Sequence, residues 1–236
     1  FILLNEIRSE NKEEINELCR RNDIQLIIYG TVWENRTGDS CKVEMKYLIS
    51  YADYMKQFIG KLDTMNIKIG ENNLEVIKRE AAVLMNFGIA IRLFFNYRAK
   101  EAYSITENLY SVSPFLRKNL FDFRFSCLRE TGDSTELINL SLDYIKEFPD
   151  SVSSYLCYAE ALIAFPFSSG KKIDSVLQLA EQIDSRSGYL WFLKGMNELN
   201  NKKSETARDY LKKSVELDSS QYETWLQYGY LEISQN

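Results

Sequence analysis

The side chains that most often do chemistry are scarce in this chain or scattered along it. It contains no histidine, which removes the usual general base near neutral pH and the commonest nitrogen ligand of metals. Its four cysteines, Cys19, Cys41, Cys127 and Cys157, stand far apart and form no CxxC pair. Zinc-site spacing is therefore absent, and this cysteine usage points to a reduced, cytoplasmic compartment. Gly30, Gly38 and Gly60 lack the spacing of a phosphate-cradling loop. Adjacent carboxylates such as Glu13 and Glu14 form a solvated helix face more often than an acid and its base. With no catalytic residue, cofactor-binding residue or metal ligand to name, an enzyme is not expected, and function must lie on surfaces.

Charge narrows those surfaces. The 236 residues hold 29 Lys and Arg against 34 Asp and Glu, a formal net charge of -5. Lysines stand beside acids, as Lys212 and Lys213 do beside Glu216 and Asp218. Without a basic stripe to neutralise phosphates, this segment is not expected to bind nucleic acid directly. The most apolar stretch, Ala81 to Phe95, spans fifteen residues and includes Asn86, Gly88 and Arg92. A membrane span needs about 20 mostly apolar residues, so a buried helix is expected instead. The sequons Asn35-Arg36-Thr37 and Asn139-Leu140-Ser141 would matter only in a secreted protein, and no signal-peptide pattern accompanies them.

The elements that would position a surface follow from a repeat. Trp191 and Trp225 stand thirty-four residues apart, as do Gly195 and Gly229, and the Asp-Ser pairs beginning at Asp150, Asp184 and Asp218 keep the same interval. Tyr155 to Ala161 aligns with Tyr189 to Gly195 and with Glu223 to Gly229. A large residue followed four positions later by a small one is one helical turn meeting a close neighbour. Glycine costs about 1 kcal/mol in a helix interior, so another helix is expected to press on both Gly195 and Gly229. Ala207, Leu211 and Ser214, with Ile173, Leu177 and Ala180 one repeat earlier, form the face of a second helix. Stacked helical hairpins are the architecture that such a period specifies.

These units resemble the tetratricopeptide repeat (TPR) family, whose signature runs Trp, Leu-Gly, Tyr, Ala, an aromatic or Leu, and Pro over about thirty-four residues. The resemblance is clearest over 188–221 and the half unit 222–236, and extends over 154–187, where Cys157 replaces the Trp and reads as core. Lys194 stands where the motif has Leu, and serines replace the closing proline after Asp184 and Asp218. The implied fold is mainly α, a right-handed solenoid of hairpins. It also implies a concave groove, lined by the first helices, that holds a peptide. Carried onto this chain, the groove positions are Tyr155, Tyr158, Leu162, Tyr189, Phe192, Met196, Leu226 and Tyr230. Family members that grip acidic chaperone tails need Lys, Asn and Arg there, and this stripe is apolar and aromatic instead. The alternative is a stripe buried by other parts of the protein, because large exposed apolar patches are rare.

Upstream, helices are expected over Leu74 to Phe95, Arg98 to Ser111, Phe115 to Glu130 and Ser134 to Phe148. Pro114 and Pro149 act as stops, and Leu116, Leu120, Phe123 and Cys127 form a helical face. That makes about four and a half hairpins over 72–236. Residues 1–60 read as a small α/β element of order strand, helix, strand, strand. Phe1 to Leu4 suits a buried strand, and Asn11 to Arg21 a helix bearing Ile15, Leu18 and Cys19 on one face. Ile24 to Trp33 and the alternating Cys41 to Ser50 flank a turn at 35–39. The stretch Ile27 to Val43 resembles the hairpin of TolB-like amino-terminal modules that precede TPR arrays in some bacterial regulators; an ordinary hairpin is the alternative.

Two function classes stand open. One is a scaffold that binds a protein, as a peptide or helix, in the aromatic groove. The other is the sensor or oligomerisation region of a bacterial transcriptional regulator whose DNA-binding domain lies outside this chain. The chain opens inside an apolar strand, so it reads as a piece of a longer protein. Tyr222 to Asn236 carries a first helix without a second to cover it, so a continuation or a homo-oligomer contact is expected there.

Overall fold

The computed structural model describes residues 26–34, 40–50, 57–61, 65–68, 73–113, 116–164 and 170–234. The expected strand at 1–4, the helix at 11–21, the turn at 35–39 and Pro114 lie outside the described residues. The chain divides into two compact units, 1–120 and 121–236.

In the first unit, β1 (Leu26–Glu34) and β2 (Ser40–Ser50) pair antiparallel, with Gly30 opposite Met45. Period-two alternation along Cys41 to Ser50 is what a half-buried strand requires. Two strands that the sequence reading omits complete the sheet. Both β3 (Gln57–Lys61) and β4 (Met65–Lys68) pair antiparallel with the far edge of β2, opposite Lys46–Ser50 and Ser40–Val43 respectively. Strands of five and four residues carry too little periodicity to stand out in a sequence.

Two helices follow. In α1 (Asn73–Phe95), Val83, Leu84, Phe87, Ala90 and Ile91 are buried, while Met85 and Ile89 on the other side are exposed. That one-sided burial is why a long apolar run remains a packed surface helix. No helix among the described residues is long and apolar enough to cross a membrane. Packed against α1 is α2 (Ala99–Val112), through Ala102, Thr106 and Leu109 at helical spacing. Between them, Tyr97 takes φ +60°, closing α1 with bonds from its amide to the Phe94 carbonyl and from Arg98 to Leu93.

Seven more helices are described: α3 (Arg117–Thr131), α4 (Ser134–Glu147), α5 (Val152–Ala164), α6 (Gly170–Ile183), α7 (Gly188–Asn200), α8 (Ser204–Leu217) and α9 (Tyr222–Ser234). Leu116, Leu120, Phe123 and Cys127 are all buried, as their spacing requires. Gly132, at φ +71°, ends α3, and Asp133 caps α4 by accepting from the Glu136 amide at 3.1 Å.

The thirty-four-residue period has a hydrogen-bonded cause. Asp184 Oδ1 accepts from the Arg186 amide at 2.9 Å, and Asp218 Oδ1 from the Ser220 amide at 3.0 Å. Trp191 Nε1 then donates to the Ser185 carbonyl at 2.9 Å, and Trp225 Nε1 to the Ser219 carbonyl at 3.0 Å. Each turn is thereby folded back onto the helix that follows it. Ile173, Leu177 and Ala180 of α6, and Ala207, Leu211 and Ser214 of α8, are buried at matching positions. Ser214 Oγ also donates to the Gly188 carbonyl at 2.7 Å, tying α8 to the start of α7.

Candidate functional site

The eight groove positions divide by depth. On α5, Tyr158 and Leu162 are 6% and 3% exposed, members of one core with Leu156, Leu177 and Trp191. That core is shared by α5, α6 and α7, and Lys172 Nζ of α6 lies 5.3 Å from the Tyr158 ring centroid. Tyr155, Tyr189 and Phe192 are half-buried against the same core, and Met196 is half-buried on α7. Leu226 and Tyr230 of α9 are 49% and 60% exposed. The accessible part is thus centred on α7 and α9, and the α5 contribution reduces to Tyr155.

Tyr189 and Phe192 stack with centroids 5.6 Å apart and planes 20° from parallel. A stacked pair three residues apart on one helix makes a flat, rigid apolar surface. Beside it lies a polar cluster. Arg129 Nη1 of α3 donates to Glu160 Oε1 of α5 at 3.0 Å, and the Glu160 carboxylate acts electrostatically on Tyr189. Burial, then the Glu160 carboxylate, raises the Tyr189 pKa, so the phenol stays protonated. Burial opposes the Arg129 charge, yet Glu160 raises its pKa overall. Sequence reasoning missed this cluster because Arg129, Glu160 and Tyr189 share no common repeat position.

Neither Cys127 nor Cys157 is poised as a nucleophile. Burial pushes the Cys127 thiol up from 9.0 to about 12 and raises Cys157 as well, with Asp122 adding to the second. Cys157 is partly buried at the Trp191 position. Among the described residues no group of three His, Cys, Asp or Glu could hold a metal ion.

Lys194, the departure from the family pattern, opens onto a polar cleft of about 330 Å³ between α6, α7 and α8. Its ammonium pairs with Glu181 and lies 4.6 Å from the Trp191 ring centroid. Asn197 Nδ2 donates to Asp174 Oδ1 at 2.7 Å, and Lys203 pairs with Glu198 at 3.1 Å. These pairings hold the three carboxylates of the cleft to partners within the protein. They also explain the Lys: its ammonium lies over the indole as a cation–π partner while it pairs with the Glu181 carboxylate.

The two glycines part company. A Cβ on Gly195 would stand 2.8 Å from Leu211 Cγ and 3.3 Å from the Ala207 carbonyl oxygen, the close approach that the spacing implies. Around Gly229 nothing lies within 4 Å, so the expected close approach is absent there.

No protein-family model matches the chain, and no curated protein sequence matches it. Solved structures do. A thermophilic TPR protein of Thermus thermophilus, TTC0263, is similar with a TM-score of 0.57 and 16% identity, over 65% of this chain and 83% of that one. MamA from Desulfovibrio magneticus RS-1, from residue 41 to its end, matches with a TM-score of 0.50 and 14% identity over 65% of this chain and 85% of its own. The MamA RS-1 ArsTM double mutant gives the same values. Likeness at such identity is likeness of fold, and the helical part of this chain has the tetratricopeptide-repeat fold.

Proposed function

We propose that residues 121–236 form a protein-interaction scaffold that binds a peptide or helix of a protein partner on the inner faces of α7 and α9. The observation that carries this reading is the half-buried Tyr189–Phe192 stack, with Met196 half-buried on the same helix and Leu226 and Tyr230 exposed on α9. Aromatic side chains held rigid by a core below supply large contact area at little entropic cost, the pattern of an interaction hot spot. The Arg129–Glu160–Tyr189 cluster supplies polar anchors at its margin. Nothing in the helical units favours the transcriptional-regulator reading over the scaffold.

Peptides selected from a random display library against the full chain provide the test. Tyr230→Ala, at a side chain 60% exposed, removes contact area with little effect on the fold. Phe192→Ala removes the centre of the stack. Both are expected to weaken the selected peptides, Phe192→Ala by about 2 kcal/mol or more. A stability loss of about 3–5 kcal/mol for Phe192→Ala, with unchanged affinity per folded molecule, would assign that ring to the core.

A further inference from the structure

The aromatic stack on α7 lies in the interior of the array. Phe192 packs on the core shared by α5, α6 and α7, and also on the cluster of Ala207 and Leu211 of α8 with Leu231 of α9. Helices therefore stand on both sides of α7, and the partial exposure of Tyr189 and Phe192 does not come from the end of the array.

The surface beside the stack is charged. The Arg129 side chain of α3 is 50% exposed and pairs with Glu160 of α5, whose side chain is 18% exposed. Both act electrostatically on Tyr189. Tyr222 of α9 feels Glu223, then Arg129 and the exposed Glu130 of α3, so the charges of α3 reach across to α9. Around these two tyrosines one cation stands against three carboxylates, Glu130, Glu160 and Glu223, and that cation is already paired.

This balance bears on what can lie there. Helices of the array meet through apolar contacts, as Leu211 does at Gly195. An apolar face laid over the Arg129–Glu160 pair would strip it of water and return no partner. A basic side chain gives the surplus carboxylates a partner, whereas an acidic one adds like-charge repulsion. Glu160 sharpens the choice: by holding Arg129 it occupies the donor that an acidic ligand would need.

The geometry points to a partner segment that carries an arginine or lysine beside an apolar anchor, with the anchor on the Tyr189–Phe192 stack, the cation among Glu130, Glu160 and Glu223, and Glu160 as the residue that sets this preference. Such a preference rests on the groove of α7 and α9 being the peptide site.

A display library with every position random, panned against the full chain, provides the probes. Peptides whose binding is lost on Tyr230→Ala or Phe192→Ala, with circular dichroism retained, are the groove ligands. Among them Lys and Arg are expected to exceed Asp and Glu relative to the input pool, and replacing the selected cation by Glu should lower affinity by about tenfold. Two charge variants separate recognition from folding. Glu160→Gln should weaken the cationic peptides, whereas Arg129→Gln, which frees the carboxylate, should tighten them. An ion pair that only supports the fold would make both variants bind more weakly. Groove ligands without a charge preference, or weaker binding by both variants, overturn the basic-ligand assignment and leave the groove standing. No peptide sensitive to either alanine overturns both, the result expected where another part of the chain lies over the groove.

Discussion

Alanine at Gly195 and at Gly229 isolates what one helix pressing on another contributes. Both glycines lie inside helices, so each Gly→Ala change gains about 1 kcal/mol of helix propensity. At Gly229 nothing stands within 4 Å, so that gain is expected in full. At Gly195 the new Cβ meets Leu211 Cγ at 2.8 Å and Cδ2 at 2.9 Å, with the Ala207 carbonyl at 3.3 Å. Favourable carbon contacts lie at about 3.5–4.0 Å, so Leu211 must retreat by more than half an ångström. It is fully buried, so it cannot turn out into solvent. Overpacking of this kind costs about 1–3 kcal/mol. The propensity gain cancels when the variants are compared, so Gly195→Ala should be less stable than Gly229→Ala by about 1–3 kcal/mol. Urea unfolding followed by circular dichroism measures the difference. Leu211→Ala makes room for the added methyl, so in that background Gly195→Ala should lose its penalty, a coupling of about 1–3 kcal/mol. Equal effects of the two alanines, or no coupling to Leu211, would refute the close-approach argument.

Tyr97 and Lys202 adopt φ +60° and +61° at helix ends where Gly132 serves elsewhere, and Tyr97 is 93% exposed. Tyr97→Gly and Lys202→Gly should each stabilise by about 0.5–1 kcal/mol, read as a higher urea midpoint; a lower midpoint would show that the side chains contribute packing. Cys127 is held protonated by burial, with its pKa raised from 9.0 to about 12. Because the folded value is raised, its contribution is complete below pH 9 and is lost as pH rises towards 12, where only the unfolded thiol ionises readily. Stability measured from pH 8 to 11 should fall, and Cys127→Ala should flatten that slope; an unchanged slope would assign it to other groups.

The sequence by itself determined the local and periodic features of this protein. Helix faces such as Leu116, Leu120, Phe123 and Cys127 emerge because burial follows helical spacing. The Asp-Ser turns and their tryptophans repeat because each turn closes on bonds within eight residues of chain. Only the tertiary structure decided which of those positions are covered. Tyr158 and Phe192 occupy the same repeat position, yet one is buried in the core shared by α5, α6 and α7 and the other is half-buried. Gly195 and Gly229 are likewise in phase, but one meets Leu211 and the other open space. The Arg129–Glu160–Tyr189 cluster joins three helices, and β3 and β4 find their place only by pairing with β2. Spacing along a chain fixes which side of an element a residue occupies; its burial is set by a neighbouring element from elsewhere in the sequence, whose distance from that side no local pattern records.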